Sequence, residues 1–221
     1  MKNDICEGDN RATRAASRRL RIVETARRLF VTKGFHGTGV AQIAAESGVK
    51  IGQLYRDFAC KEDIVAQIVQ QSIGEFLDES GLCKAASKRD AKAAHDWLRR
   101  FLTDEDHPNR ENIDSECAMF AEINAEASRN ERIAAILRAT DAHVRNTIDT
   151  ALEIMAPGPT LKERRYLLAH LILSVGHGIW LRRIAAPELP TSVLGSYSLQ
   201  MIDREIEELA ITAKNRSILI T

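Results

Sequence analysis

Lys50, Gln53, Tyr55 and Arg56 form a short run whose side-chain types suit the base edges and phosphates of a DNA duplex. A glutamine can make a paired hydrogen bond to an adenine edge in the major groove. An arginine can do the same with guanine, or clamp a phosphate. A tyrosine hydroxyl and a lysine ammonium suit phosphate oxygens. Thr38 and Lys61 flank the run. The hydroxyl of the first can cap a helix or donate to a phosphate, and the second opens a helix whose positive end attracts phosphate. These six residues are the candidate DNA contacts.

Such side chains read a groove only when a defined element carries them. In TGVAQIAAESGVKIGQLYRDFACK, Val40, Ile43 and Ala44 share one face of a helix expected over residues 40–47. Gly48 can take the left-handed conformation that ends it, and Val49 packs the turn. A second helix, expected over 50–57, directs Leu54 and Phe58 inward and leaves Lys50, Gln53, Tyr55 and Arg56 outside or at the rim. This is the order of a helix-turn-helix, whose second helix enters the major groove. Upstream, an amphipathic helix places Leu20, Val23, Ala26 and Phe30 on one face and closes at Gly34-Phe35.

Together these elements resemble the TetR (tetracycline repressor) family of bacterial transcription regulators. The resemblance covers roughly residues 18–76. It rests on Leu29-Phe30, Gly34-Phe35, Thr38, Val40, Ile43-Ala44, Gly48-Val49, Gly52, Leu54-Tyr55, Phe58 and Lys61-Glu62. Gly39, Lys50 and Cys60 stand where the family commonly has hydroxyl or amide residues, and at Lys50 and Ile51 the family's exact phosphate contacts do not carry over to this chain. The resemblance implies an all-α protein with an amino-terminal three-helix helix-turn-helix DNA-binding domain and a larger carboxy-terminal helical domain for ligand binding and dimerisation. It also implies a cytoplasmic repressor, homodimeric through its last two long helices. A small apolar or aromatic molecule would release it from a palindromic operator.

Composition agrees with a helical chain: 44% of the 221 residues are hydrophobic, and only 5 are proline. Residues 1–66 carry 12 Lys and Arg against 8 Asp and Glu, a balance of +4, and residues 67–221 carry 19 against 23, or −4. That asymmetry suits a DNA reader joined to a domain that stays off the backbone. The domain boundary is expected at 66/67, with residues 1–16 a disordered arm. Arg11, Arg14, Arg18, Arg19 and Arg21 cluster at the head of the first helix, where a flexible part could follow a minor groove. No apolar run is long enough to cross a membrane. Cys6, Cys60, Cys83 and Cys117 are far apart and form no C-x-x-C pair, which argues for free thiols and against a zinc site. No cofactor is expected.

Further helices are expected near 61–80 (with Ile64, Ile68, Ile73, Phe76 and Leu77 apolar), 85–102, 113–128, 131–155, 160–186 and 192–213. Gly81 ends the first of these, and Thr160 with Glu163 forms a capping box for the fifth. The last two, long and apolar, suit a four-helix bundle with a second copy. Trp97, Phe101, Phe120, His177 and Trp180 are bulky or polar-tipped residues on otherwise apolar segments, and are the candidate ligand contacts. Glu122 and Glu126, one turn apart, are expected in solvent.

Two other readings compete. His95-Asp96 is the best feature for an all-helical metal-dependent hydrolase, but His36, His107, His143, His170 and His177 lack matching spacings with carboxylates, so no enzyme is expected. A helical dimer that now binds a protein partner is opposed by Lys50, Gln53, Tyr55 and Arg56, all still competent for DNA. The helix-turn-helix reading predicts that Gln53→Ala relaxes base preference at one position per half-site, by ~1–3 kcal/mol. Selection of bound sequences from random DNA measures this, and an unchanged preference would remove Gln53 from the base readers.

Overall fold

The computed structural model describes residues 3–77, 79–103 and 113–218, with side chains described over 12–74, 77, 79–103 and 113–212. The side chains of Cys6, Arg11, Phe76 and His107 lie outside the described residues. The described chain is all α: α1 (Asn3–Gly37), α2 (Val40–Glu46), α3 (Ile51–Asp57), α4 (Lys61–Phe76), α5 (Glu79–Lys88), α6 (Ala91–Thr103), α7 (Ile113–Ala127), α8 (Glu131–Met155), α9 (Lys162–Ala185) and α10 (Thr191–Ile218). It forms two compact units. One contains residues 1–71 and 118–137, the other residues 72–117 and 138–221.

In the amino-terminal unit, Ile22, Val23, Ala26, Leu29 and Phe30 form the buried stripe of α1. Leu20, expected on that stripe, is 47% exposed. At 100° per residue it sits about 120° around the helix from Ala26. Ile43, Leu54, Phe58, Ile64 and Ile68 close the core from α2 to α4, joined by Met119, Ile123 and Ile133. Helix α1 starts at Asn3, where a disordered arm was expected over 1–16. Ala12, Ala15 and Ala16, set among arginines, favour that helix. The regular part of α1 breaks at Gly34 (φ 73°, ψ 166°), a backbone conformation that a side chain disfavours.

The second unit packs α10 on α6 and α9 around Leu77, Trp97, Leu98, Ile148, Leu152, Ile172 and Ile202. Three expectations change here. The helices expected at 61–80 and 85–102 are three, because α4 ends at Phe76 and the chain breaks again at Arg89 (φ 51°) and Asp90. The Asp90 carboxylate accepts the Ala93 N–H at 3.0 Å and caps α6, and Gly81 lies inside α5. The Thr160–Glu163 capping box does not form. A 3-10 turn over Pro159–Leu161 leads into α9 with no side-chain cap. Buried Arg165 serves this corner instead, donating to the carbonyls of Ala156 (3.1 Å) and Gly158 (2.8 Å) just past the end of α8.

Gly195 sets how closely α10 approaches α6, since a Cβ there would lie 2.2 Å from the Leu102 carbonyl oxygen, a backbone atom that cannot swing away. Gly195→Ala should destabilise the protein by at least ~1–3 kcal/mol. Gly74→Ala, with open space around the new methyl, should raise stability by up to about 1 kcal/mol. Thermal melts of the two variants check this, and a wild-type melt for Gly195→Ala would refute the close approach.

Candidate DNA-reading surface

The turn between α2 and α3 is built from backbone. Gly48 adopts φ +67°, and the N–H groups of Ser47, Gly48 and Val49 donate to Ile43, Ala45 and Ala44 at 2.9, 3.2 and 3.0 Å. Buried Val49 then directs the chain into α3, where the Lys50 carbonyl accepts the N–H groups of Gln53 (2.8 Å) and Leu54 (3.1 Å). Leu54 and Phe58 are buried, which fixes the rotation of α3. Lys50 and Arg56 are exposed, Tyr55 is 53% exposed, and Gln53 is half-buried. The Arg56 Nε–H donates to the Gly52 carbonyl at 3.2 Å, leaving the far end of its guanidinium outward.

The carboxy-terminal end of α3 is gripped by α1. Arg18 meets Asp57 through two bonds of 2.5 and 2.9 Å, which holds the Asp57 carboxyl below the usual aspartate range. Arg19 donates to the Asp57 carbonyl at 2.8 Å and lies 4.4 Å over the Phe58 ring. The arginine cluster therefore divides. Arg18 and Arg19 lock the helix in place, and Arg14 and Arg21 remain exposed.

Thr38 and Lys61 take roles other than those expected. Thr38 is fully buried, its hydroxyl 2.9 Å from the Gly34 carbonyl and 3.2 Å from that of Leu29. It closes the broken end of α1 and cannot reach a phosphate. The Lys61 ammonium donates to the Phe35 carbonyl at 2.5 Å and to that of Thr38 at 3.0 Å, and sits 3.9 Å over the Phe35 ring. Burial pulls its pKa below the usual lysine value, against the opposing charges of Glu62 and Glu126.

The same turn recruits residues that the sequence alone assigned to solvent. The Glu122 carboxylate accepts the Phe35 N–H at 2.5 Å. Glu126 is 2% exposed and meets Arg129 at 2.8 Å and His36 at 3.0 Å. Asn130 accepts the N–H groups of Arg132 and Ile133 to start α8, and its amide donates to Glu62 at 3.1 Å. The one-turn spacing of Glu122 and Glu126 marked a common face, but nothing local said that the face meets the end of α1.

The ligand candidates are divided between the two units. Phe120 is half-buried in the amino-terminal unit, and the other four belong to the second unit. There Trp97 is buried, donates its indole N–H to the Leu77 carbonyl at 2.6 Å, and stacks on Phe101 at 5.7 Å. Phe101 in turn lies against Gly176, 3.3 Å from where a Cβ would stand. Trp97 and Phe101 are core residues. His177 and Trp180 are half-buried, and burial lowers the His177 pKa. A cleft of about 300 Å³, lined by Thr103, Ile113, Arg183, Leu189, Thr191 and Ser192 among others, contains none of the five. The His95-Asp96 pair separates as well: His95 bonds Asp203 at 2.8 Å, and Asp96 pairs with Lys92 at 3.4 Å.

This geometry separates two lysines. Lys61→Ala should take a donor from the Thr38 carbonyl, leave the Phe35 carbonyl with the longer bond from the Thr38 N–H at 3.4 Å, and lower the melting temperature by an amount corresponding to ~1–3 kcal/mol. Lys50→Ala should leave the melt unchanged and reduce the salt dependence of DNA binding by about one phosphate contact. Calorimetry and salt titrations test the pair. A wild-type melt for Lys61→Ala would return that residue to the phosphate contacts.

Residues 22–68 match the sequence model of the bacterial regulatory proteins of the tetR family. The HTH-type transcriptional regulator UidR of Escherichia coli (strain K12) is 28% identical over 130 residues, covering 59% of this chain and 62% of that protein. The match thus spans less than two thirds of that relative's length. A TetR transcription regulator from Haloarcula marismortui superposes with a TM-score of 0.64 at 15% identity, over 87% of this chain and 98% of its own. SmeT, solved as a complex with triclosan, superposes with a TM-score of 0.65 at 17% identity, over 84% of this chain and 90% of its own. The matched residues run from within α1 into α4 and contain the helix-turn-helix, so this segment of the chain is similar to the tetR family of bacterial regulatory proteins.

Proposed function

We propose that this protein is a ligand-responsive, sequence-specific DNA-binding transcription regulator, acting as a repressor on a roughly palindromic operator. The observation that carries the reading is the presentation of α3. Its inner side is locked by Leu54, Phe58 and the Arg18–Asp57 pair, while Lys50, Tyr55 and Arg56 are exposed. Gln53 at the rim reads a base edge, and the exposed cations and the Tyr55 hydroxyl hold phosphates.

One seven-residue helix contacts too few base pairs for high specificity, and a two-fold dimer doubles the readout. Support for a homodimer comes from α9 and α10. Leu167, Leu171, Ser174, Gly178 and Leu181 recur at alternating spacings of four and three along α9, and all are exposed in the single chain. Val193, Tyr197 and Met201 are 61%, 64% and 59% exposed on α10. Two such stripes paired with their copies make a four-helix bundle with its apolar seam covered. A small apolar or aromatic effector, bound in the second unit, favours a dimer geometry with a different spacing of the reading helices. A coupling of ~1–3 kcal/mol changes operator occupancy about 5- to 150-fold. The SmeT complex with triclosan supports small-molecule control on a similar fold. Among the described residues no helix is long and apolar enough to cross a membrane.

The test combines sedimentation with DNA selection. Wild-type protein should sediment as a dimer and enrich a palindrome with half-sites about one helical turn apart, or a multiple of it. The double variant Leu171→Glu, Tyr197→Glu should sediment as a folded monomer and bind the selected site on the order of 10³-fold more weakly. A wild-type monomer, or selection without enrichment, would defeat the reading.

A further inference from the structure

On α3, Ile51 is 48% exposed in the helix's first turn, one turn before Tyr55. It is not among the core residues, which include Leu54 and Phe58 on the buried side. Its neighbour Gly52 has nothing within 4 Å of a would-be Cβ, so the backbone around Ile51 is open to close approach. A branched hydrocarbon held outward on an element otherwise presenting Lys50, Tyr55 and Arg56 makes no hydrogen bond to a base and no contact with a phosphate charge. Major-groove edges offer such a side chain one specific partner, the C5-methyl group of thymine. The first turn is also the part of a recognition helix that meets base edges.

We infer that Ile51 is a specificity-determining residue that reads a thymine methyl at one position of each half-site. The inference rests on the DNA-reading role proposed above. Ile51 and Gln53 then divide the readout, with the isoleucine sensing a methyl group and the glutamine sensing hydrogen-bonding edges. Covering one methyl-sized group contributes about fourfold in affinity per half-site, and about fifteenfold when both half-sites are matched.

The experiment replaces thymine by deoxyuridine, which removes the methyl and leaves base pairing intact. The operator selected by wild-type protein is resynthesised with deoxyuridine at each thymine in turn, symmetrically in both half-sites. At one symmetric pair of positions, wild-type affinity should fall about fifteenfold. Ile51→Ala, with an unchanged melt and salt slope, should bind the thymine and deoxyuridine operators equally at that pair. An operator indifferent to every methyl, or an Ile51→Ala variant that still loses affinity with deoxyuridine there, would overturn the assignment of Ile51 while leaving the regulator reading intact. Failure of the wild-type protein to enrich any sequence would instead overturn the regulator reading, and this inference with it.

Discussion

Helix α1 stops inside the amino-terminal unit, and the backbone groups it leaves behind must find partners. Gly34 makes the break possible through its positive φ, and the Phe35 amide and carbonyl that follow it take side-chain partners from outside α1. A buried N–H or C=O left without a partner costs roughly 1–3 kcal/mol. Glu122 satisfies the Phe35 N–H, Lys61 satisfies its carbonyl, and Thr38 reaches back to Gly34. Three side chains from separate parts of the sequence thus converge on two residues of backbone. Residues 118–137 belong to the same compact unit as the reading helix for this reason, together with the apolar packing of Met119, Ile123 and Ile133.

That closure leaves the outer side of α3 available. Two charged residues of α1, Arg18 and Arg19, are drawn to the last turn of α3, where Asp57 supplies both a carboxylate and a free carbonyl. Arginine suits this position because its planar fork satisfies two acceptors at once and its face lies on Phe58. With its inner side and its carboxy-terminal end both held, α3 projects its remaining side chains without needing them for its own stability. The residues proposed to touch DNA are mostly those left exposed by this packing.

The second unit follows a different logic. Its core is almost wholly apolar, and its helix approach is governed by small residues, with Gly195 under the Leu102 carbonyl and Gly176 under the Phe101 ring. Exposed leucines, a tyrosine and a methionine on α9 and α10 then stand out against a surface otherwise rich in charge. One exception inside is Arg165, buried where the end of α8 offers it carbonyl acceptors beside the carboxylates of Asp149 and Glu153.

Local pattern was enough for the helical class, the helix-turn-helix over residues 40–57, and the inward role of Leu54 and Phe58. Periodicity and a well-placed Gly48 act within a few residues of one another, so they are readable in the chain itself. Helix ends were less legible. The break at Arg89-Asp90 and the unused Thr160 cap depend on which neighbouring backbone groups remain unpaired after packing. The fates of Thr38, Lys61, Glu122 and Glu126 were not legible at all. Each is a polar residue that local rules send to solvent or to a ligand. Only the folded unit creates, next to each of them, a buried partner that costs more to leave alone than the side chain costs to bring in. The sequence by itself determined which face of each short helix turns inward, through the spacing of apolar residues. The tertiary structure decided which polar residues remain for function, because that choice depends on backbone groups brought together from distant parts of the chain.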